Sequence, residues 1–177
     1  MLRLSHDLLG QARFLASQDQ RRPKEANLRR AISAAYYALF HYLIEETTSL
    51  TIGTANNLDN LRQFAGRSFA HRKMKEACRE FNKPVPKQIL APFWASLGVP
   101  NNADVKTIAT NFIGLQEQRH AADYDLSQRF TRNDAGAAVI RAREAMNAWT
   151  RLKISHQELA TLFALSLMLW SGLGDRQ

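Results

Sequence analysis

The sequence predicts an all-α fold, an up-and-down helical bundle of about five longer helices. Three observations carry that prediction. Apolar residues recur every three or four positions over long stretches, and no run alternates with period two. The periodic stretches are separated by short breaks rich in Thr, Asn, Gly or Pro, the pattern of neighbouring helices in a bundle. The 177 residues, 45% hydrophobic and 23% charged, make a chain of single-domain size with enough apolar surface for one core. No repeat, low-complexity tract or linker divides it, so residues 1–177 read as one domain.

Residues 2–18 form the first helix, with Leu4, Leu8, Ala12 and Leu15 on one face. SQDQRRP interrupts it, and Pro23 suits the first turn of the next. That second helix, about 24–47, carries a wide apolar stripe through Leu28, Ile32, Ala35, Tyr36, Leu39, Phe40 and Leu43. A more polar row, Arg30, Ser33, Tyr37 and His41, runs beside it. Residues 48–60 read as a loop, followed by a short turn around Leu61–Ala65. Over 68–82 two faces separate, with Ala70, Met74, Ala77 and Phe81 on one side. Arg72, Lys75, Arg79 and Lys83 lie on the other.

Four of the five prolines fall within 83–102, an irregular insertion that also holds Phe93 and Trp94. Lys83 and Lys87 flank these rings. Stacking on single-stranded bases and plugging the end of the bundle are the two roles they fit, and plugging is the commoner. A helix over about 104–124 follows. Thr131 and Asp134 have the form of a capping box and start a helix of about 132–153. Ser155 and Glu158 have the same form and start the last helix, which has no charge between Leu159 and Trp170. A helix apolar all round is buried all round. The bundle covers one side of 155–172, and a second chain or a partner is expected on the other.

The formal net charge is +8 and the pI about 10.1, which favours an anionic partner, nucleic acid before membrane. From Arg62 to Lys87 eight Lys or Arg stand against two Glu. The single cysteine, Cys78, excludes an intrachain disulfide and a Cys-based zinc site and fits a reducing, cytoplasmic setting. The N-terminus lacks an uninterrupted apolar core, so no secretory signal is expected there, and no run is long enough to span a bilayer. Walker, GxGxxG and GxSxG motifs are absent, and the five histidines show no metal-ligand spacing. Neither a metal nor a cofactor is expected.

The one conflict between pattern and residue type lies in the 104–124 helix. Its apolar stripe, Val105, Ile108, Ala109, Phe112 and Leu115, continues onto Arg119, Ala122 and Asp123. Charged groups are buried only when paired. An intrahelical Arg119–Asp123 ion pair is one explanation. It has the less favourable order of charges, with Asp123 at the negative end of the helix dipole. A phosphate clamp is the other, since guanidinium binds phosphate oxygens in bidentate fashion. A histidine beside it, His120, is of the type that moves protons near neutral pH in metal-independent ribonucleases, although it points about 100° away on a regular helix.

The run AYYALFH (35–41) resembles the second helix of HEPN domains, small all-helical domains whose bacterial members often read AYYAMFH there. His71 stands where these proteins often have a histidine opening the third helix. RHAADYD (119–125), followed by AGAAVIRAREAMNAW, resembles their R-x-x-A-D-Y-D helix end. The resemblance covers roughly residues 2–153. It implies a dimerising, often RNA-directed bundle whose active members pair an R-x4–6-H motif from each protomer. Arg119 matches the motif arginine and His120 the polar residue after it. Positions 124–126 are Tyr124, Asp125 and Leu126, so the motif histidine is missing, and His41 or His71 is left to supply an imidazole.

The leading expectation is an RNA-directed homodimer without the standard motif. Arg119, Arg72, Lys75, Arg79 and Lys83 contact RNA or a nucleotide-bearing partner, and Asp123, Tyr124 and Tyr37 support them. The resemblance adds a toxin–antitoxin or defence context, with a cognate antitoxin or nucleotidyltransferase-type partner. The alternatives are a metal-independent endoribonuclease, using Arg119 with His120, His41 or His71, and a protein-binding scaffold.

Overall fold

The computed structural model describes residues 3–19 and 21–173. Eight α-helices follow one another: α1 Arg3–Ser17, α2 Glu25–Ile52, α3 Asp59–Gly66, α4 His71–Phe81, α5 Ala91–Trp94, α6 Ala103–Tyr124, α7 Arg132–Ser155 and α8 Gln157–Leu173. Among the described residues there is no strand, and no helix is long and apolar enough to cross a membrane. The fold is an all-α helical bundle. Six helices, rather than five, have eleven residues or more.

Helix α2 is the axis, and α1, α3, α6, α7 and α8 all pack on it. Ala31, Ala35 and Ala38 are fully buried, and their small side chains let neighbouring backbones approach closely. The helix outruns its predicted end at 47 by a turn. Thr48 Oγ1 donates to the Ile44 carbonyl at 2.8 Å and Thr51 Oγ1 to Thr47 at 2.9 Å. Hydroxyls satisfied along the helix no longer compete with it, so a Thr-rich run that reads as a loop stays helical. Gly53, at φ 108°, then ends it, a conformation that favours glycine.

Other boundaries also differ. Helix α1 buries Ser5, Ala12 and Ala16 and packs Leu8 and Leu15, half-buried, against the core, whereas Leu4 at its first turn is exposed. Pro23 lies outside α2, whose N-cap is Lys24. The Thr131–Asp134 capping box forms as expected. The Ser155–Glu158 box does not. Ser155 is the last residue of α7, and only His156 separates it from α8.

The 83–102 insertion is folded down rather than extended. Buried Glu80 anchors it, accepting from the Lys87 amide at 2.6 Å and pairing with Lys83 Nζ at 2.7 Å. Leu90, Trp94 and Val99 enter the core, and the Trp94 ring lies 5.5 Å from that of Phe81. Trp94 is therefore a plug, whereas Phe93 stays 47% exposed beside α8. Helix α8 buries Phe163, Leu167 and Trp170, but Leu169 is 45% exposed. Its own bundle thus covers only part of it.

At the other end, Arg29 of α2 closes α6. Its guanidinium donates to the carbonyls of Ala122 (2.8 Å), Asp125 (3.0 Å) and Gln128, and its Nε pairs with Glu25. A cation at a helix C-terminus satisfies open carbonyls and complements the dipole.

A buried polar knot joins α2 to α7. Glu46 accepts from Trp149 Nε1 at 2.8 Å and from Lys153 Nζ at 2.5 Å. Glu46→Ala strands the Trp149 donor in the core. It is expected to lower stability by about 1–3 kcal/mol in urea denaturation, and Glu46→Gln, which keeps an acceptor for Trp149, by less. Equal losses for the two variants contradict the role of the indole bond.

Candidate functional site

Polar side chains of α2, α4 and α6 converge around Arg119. One helical turn before the end of α6, its side chain is 16% exposed and lies over aromatic rings of α2. The guanidinium carbon is 5.6 Å from the Tyr36 centroid, 5.3 Å from Tyr37 and 5.9 Å from Tyr124. Arg119 Nη2 donates to the Tyr37 hydroxyl at 2.7 Å. Arg119 Nε stands 3.2 Å from Asp123 Oδ2, an ion pair without a well-directed hydrogen bond. The other Asp123 oxygen accepts from Ser33 Oγ at 2.5 Å. The intrahelical pair therefore exists despite its unfavourable order of charges, because Ser33 holds the carboxylate from across the interface. Burial pulls the Arg119 pKa down. The Tyr37 hydrogen bond and the charges of Tyr37, Asp123 and Tyr36 outweigh it, and the guanidinium is held above its ordinary value.

Two histidines flank the aromatic pair. His71, the first residue of α4, stacks on Phe40 with centroids 4.0 Å apart. Its Nδ1 lies 2.5 Å from the Tyr36 hydroxyl. Burial lowers its pKa, and the charges of Arg119 and His41 lower it further. Burial pushes the Tyr36 phenol well up, so Tyr36 keeps its proton and can donate it to Nδ1. The His41 ring is 6.3 Å from that of Tyr37, and burial lowers its pKa too. Both imidazoles are neutral at neutral pH. His120 instead is exposed, 5.0 Å from the Tyr124 ring, and shares with Arg119 the groove between α4 and α6.

Between α4 and α6 runs a groove of about 400 Å³ lined by Arg72, Lys75, Arg79, Gln116, Glu117, Arg119 and His120. Glu117 pairs with Lys75 at 3.0 Å and Arg79 at 3.4 Å, and the Lys75 bond holds its carboxyl below the usual range. Arg72 pairs with Glu76 at 3.5 Å. Three of the four predicted stripe cations thus share this groove. Lys83 does not line it. It lies beyond the end of α4, tied to Glu80. Gln116 is one of the lining residues, and its Oε1 is buried without a hydrogen-bond partner among the described residues.

On the other side of Tyr37, an open cavity of about 450 Å³ is lined by Arg29, Arg30, Ser33, Tyr37, Asp123 and Tyr124, among others. The polar row of α2 thus supplies Ser33, Tyr37 and His41 to the Arg119 cluster and Arg30 to its rim. The spacing of Tyr36 places it in the apolar core, and it is buried there, yet its hydroxyl reaches His71. Glu117 and Gln116 have no counterpart in the sequence reading, since nothing local marks which α6 residues face α4. Among the described residues no three His, Cys, Asp or Glu converge as a metal site. Cys78 is fully buried, and burial pushes its thiol pKa far up.

An NMR titration of the imidazoles is expected to give midpoints for His41 and His71 below the ordinary value of 6.5. The unfolded chain then binds these protons at a higher pH than the folded one. Stability therefore rises with pH across the interval between the two values and falls as pH drops from 6.5. His71→Gln should flatten that slope in denaturation measured over pH 5–7, and a His71 midpoint at or above 6.5 contradicts it.

No family model, curated protein or solved structure matches the chain.

Proposed function

We propose that the chain is an RNA-directed, HEPN-like protein that acts as a homodimer and lacks the standard R-x4–6-H motif. It binds RNA, or a nucleotide-bearing partner, along the α4–α6 groove. The observation that carries this reading is the groove's lining of four cations, Arg72, Lys75, Arg79 and Arg119, around one carboxylate, Glu117. That surplus attracts a phosphate backbone. Arg119 is fixed at the inner end by Tyr37 and Asp123.

A specific observation favours a second reading, a metal-independent endoribonuclease. His71 and His41 are neutral beside a guanidinium, the protonation state a general base needs. In this reading one imidazole takes the proton of a 2′-hydroxyl, the 2′-oxygen attacks the adjacent phosphorus held by Arg119, and the P–O5′ bond breaks to leave a 2′,3′-cyclic phosphate and a 5′-oxygen that takes up a proton. The half-covered α8 face, with Phe93, Leu162, Leu165 and Leu169, is the contact between protomers. The resemblance sets the protein in the cytoplasm beside a cognate antitoxin or nucleotidyltransferase-type partner.

Incubated with mixed single-stranded RNA in EDTA, the protein is expected to bind with an affinity that falls steeply as salt rises. Arg119→Ala should weaken binding about tenfold. The combined Arg72→Gln, Lys75→Gln and Arg79→Gln variant should lower the slope of log K against log salt by about 2. Cleavage in EDTA, lost in both Arg119→Ala and His71→Gln, selects the second reading. Absence of RNA affinity at low salt overturns both.

Light scattering at micromolar concentration is expected to give a dimer that Leu165→Glu with Leu169→Glu converts to a monomer. A monomeric native chain removes the role given to α8.

A further inference from the structure

A second cationic surface lies on helices the RNA reading does not use. Where α1 packs beside α7, a groove of about 340 Å³ is lined by Arg13 of α1 and by Arg132, Gly136, Val139, Ile140 and Arg143 of α7, among others. No carboxylate lines it. Arg132 is spent on the fold, donating to the carbonyls of Ser17 at 3.3 Å and Asp19 at 2.9 Å. Arg13 and Arg143 are not, and among the described residues neither guanidinium has a hydrogen-bond or ion-pair partner. Glu144, the nearest acid along α7, is not part of the lining.

Between the two free arginines the wall is apolar. Ile140 is 47% exposed, beside half-buried Val139. Gly136 leaves room on the same side, since a Cβ placed there meets nothing within 4 Å. Nucleic acid alone would use the charge and leave the Ile140 wall in water. A surface that joins unpaired guanidinium groups to an exposed aliphatic strip matches a ligand that carries both carboxylates and apolar side chains.

We infer that the α1–α7 groove docks an acidic, amphipathic helical segment of a partner protein. The segment's apolar residues sit on Val139 and Ile140, and its carboxylates pair with Arg13 and Arg143. Helix-in-groove recognition needs this combination of an apolar floor and charge-complementary rims. The inference is independent of the RNA reading, because none of its residues lines the α4–α6 groove.

The test is selection of a random 16-residue peptide display library against the intact chain. Enriched peptides are then measured by fluorescence anisotropy on the native chain, Arg13→Glu/Arg143→Glu and Ile140→Asp. All three target residues are exposed, and circular dichroism melts check that each variant folds. The expected result is enrichment of peptides with Asp or Glu beside apolar residues at helical spacing, whose binding falls about tenfold or more in each variant. No enrichment, or peptides indifferent to both variants, overturns the inference. So does displacement of the peptides by a single-stranded RNA oligonucleotide whose own affinity falls in the arginine variant and not in Ile140→Asp, since the surface then reads charge alone.

Discussion

Over Ala31–Leu43 helix α2 exposes almost nothing, and a helix in that position is covered only if its neighbours come within side-chain reach on every side. Alanines at 31, 35 and 38 set those distances, and the large residues Tyr36, Leu39 and Leu43 fill what remains. Helices α1, α6 and α7 are placed by this packing, and α8 closes against α2, α4 and α7. Polar pins fix the register. Ser33 reaches Asp123 of α6, Arg29 reaches the end of the same helix, and Glu46 reaches Trp149 of α7. Each joins α2 to a segment some ninety residues or more away in sequence. Two of the three lie at the candidate site, so the elements that build the fold also build the site.

The same packing explains how a charge survives on a buried stripe. An exposed ion pair contributes little, and a buried charge without partners is costly. Arg119 lies between these limits. It keeps one edge toward the groove while two tyrosine faces, a phenol oxygen and a carboxylate compensate the rest. His71 is accommodated differently, losing its charge rather than finding a counter-ion, because its surroundings are a ring stack and a guanidinium. An arginine kept charged beside histidines kept neutral is what distinguishes this corner from the rest of the surface. In the adjoining groove Lys75 and Arg79 meet a carboxylate, Glu117.

What was legible in the sequence was whatever repeats at 3.6 residues. The helices, the buried stripe of α6 and the polar row of α2 all follow from spacing, and Arg119 stood out because it broke one stripe. Interhelical partners were not legible. Nothing in the sequence around Ser33 or Glu117 says which helix it will face, and the Ser33 bond is what makes the Arg119–Asp123 pair tenable. Local rules also failed where tertiary contacts overrode them. The threonines that end α2 stay helical by bonding backward, and Ser155 is absorbed into α7 instead of capping α8. Lys83 kept its helical spacing on paper, but α4 stops at Phe81, and buried Glu80 draws its ammonium away.

Arg29 has a consequence beyond closing a helix. By gathering the carbonyls of Ala122, Asp125 and Gln128, it freezes the last turn of α6 in a chain that has no glycine there to make the stop. Arg119 and Asp123 therefore sit on a segment whose backbone is held from α2, and their side chains are held from α2 as well. A free surface arginine gives up roughly 2 kcal/mol of rotamer freedom when an anion immobilises it. Here most of that ordering has been completed during folding, because the Tyr37 and Asp123 contacts already hold the side chain. The cost of that order is borne by the stability of the bundle.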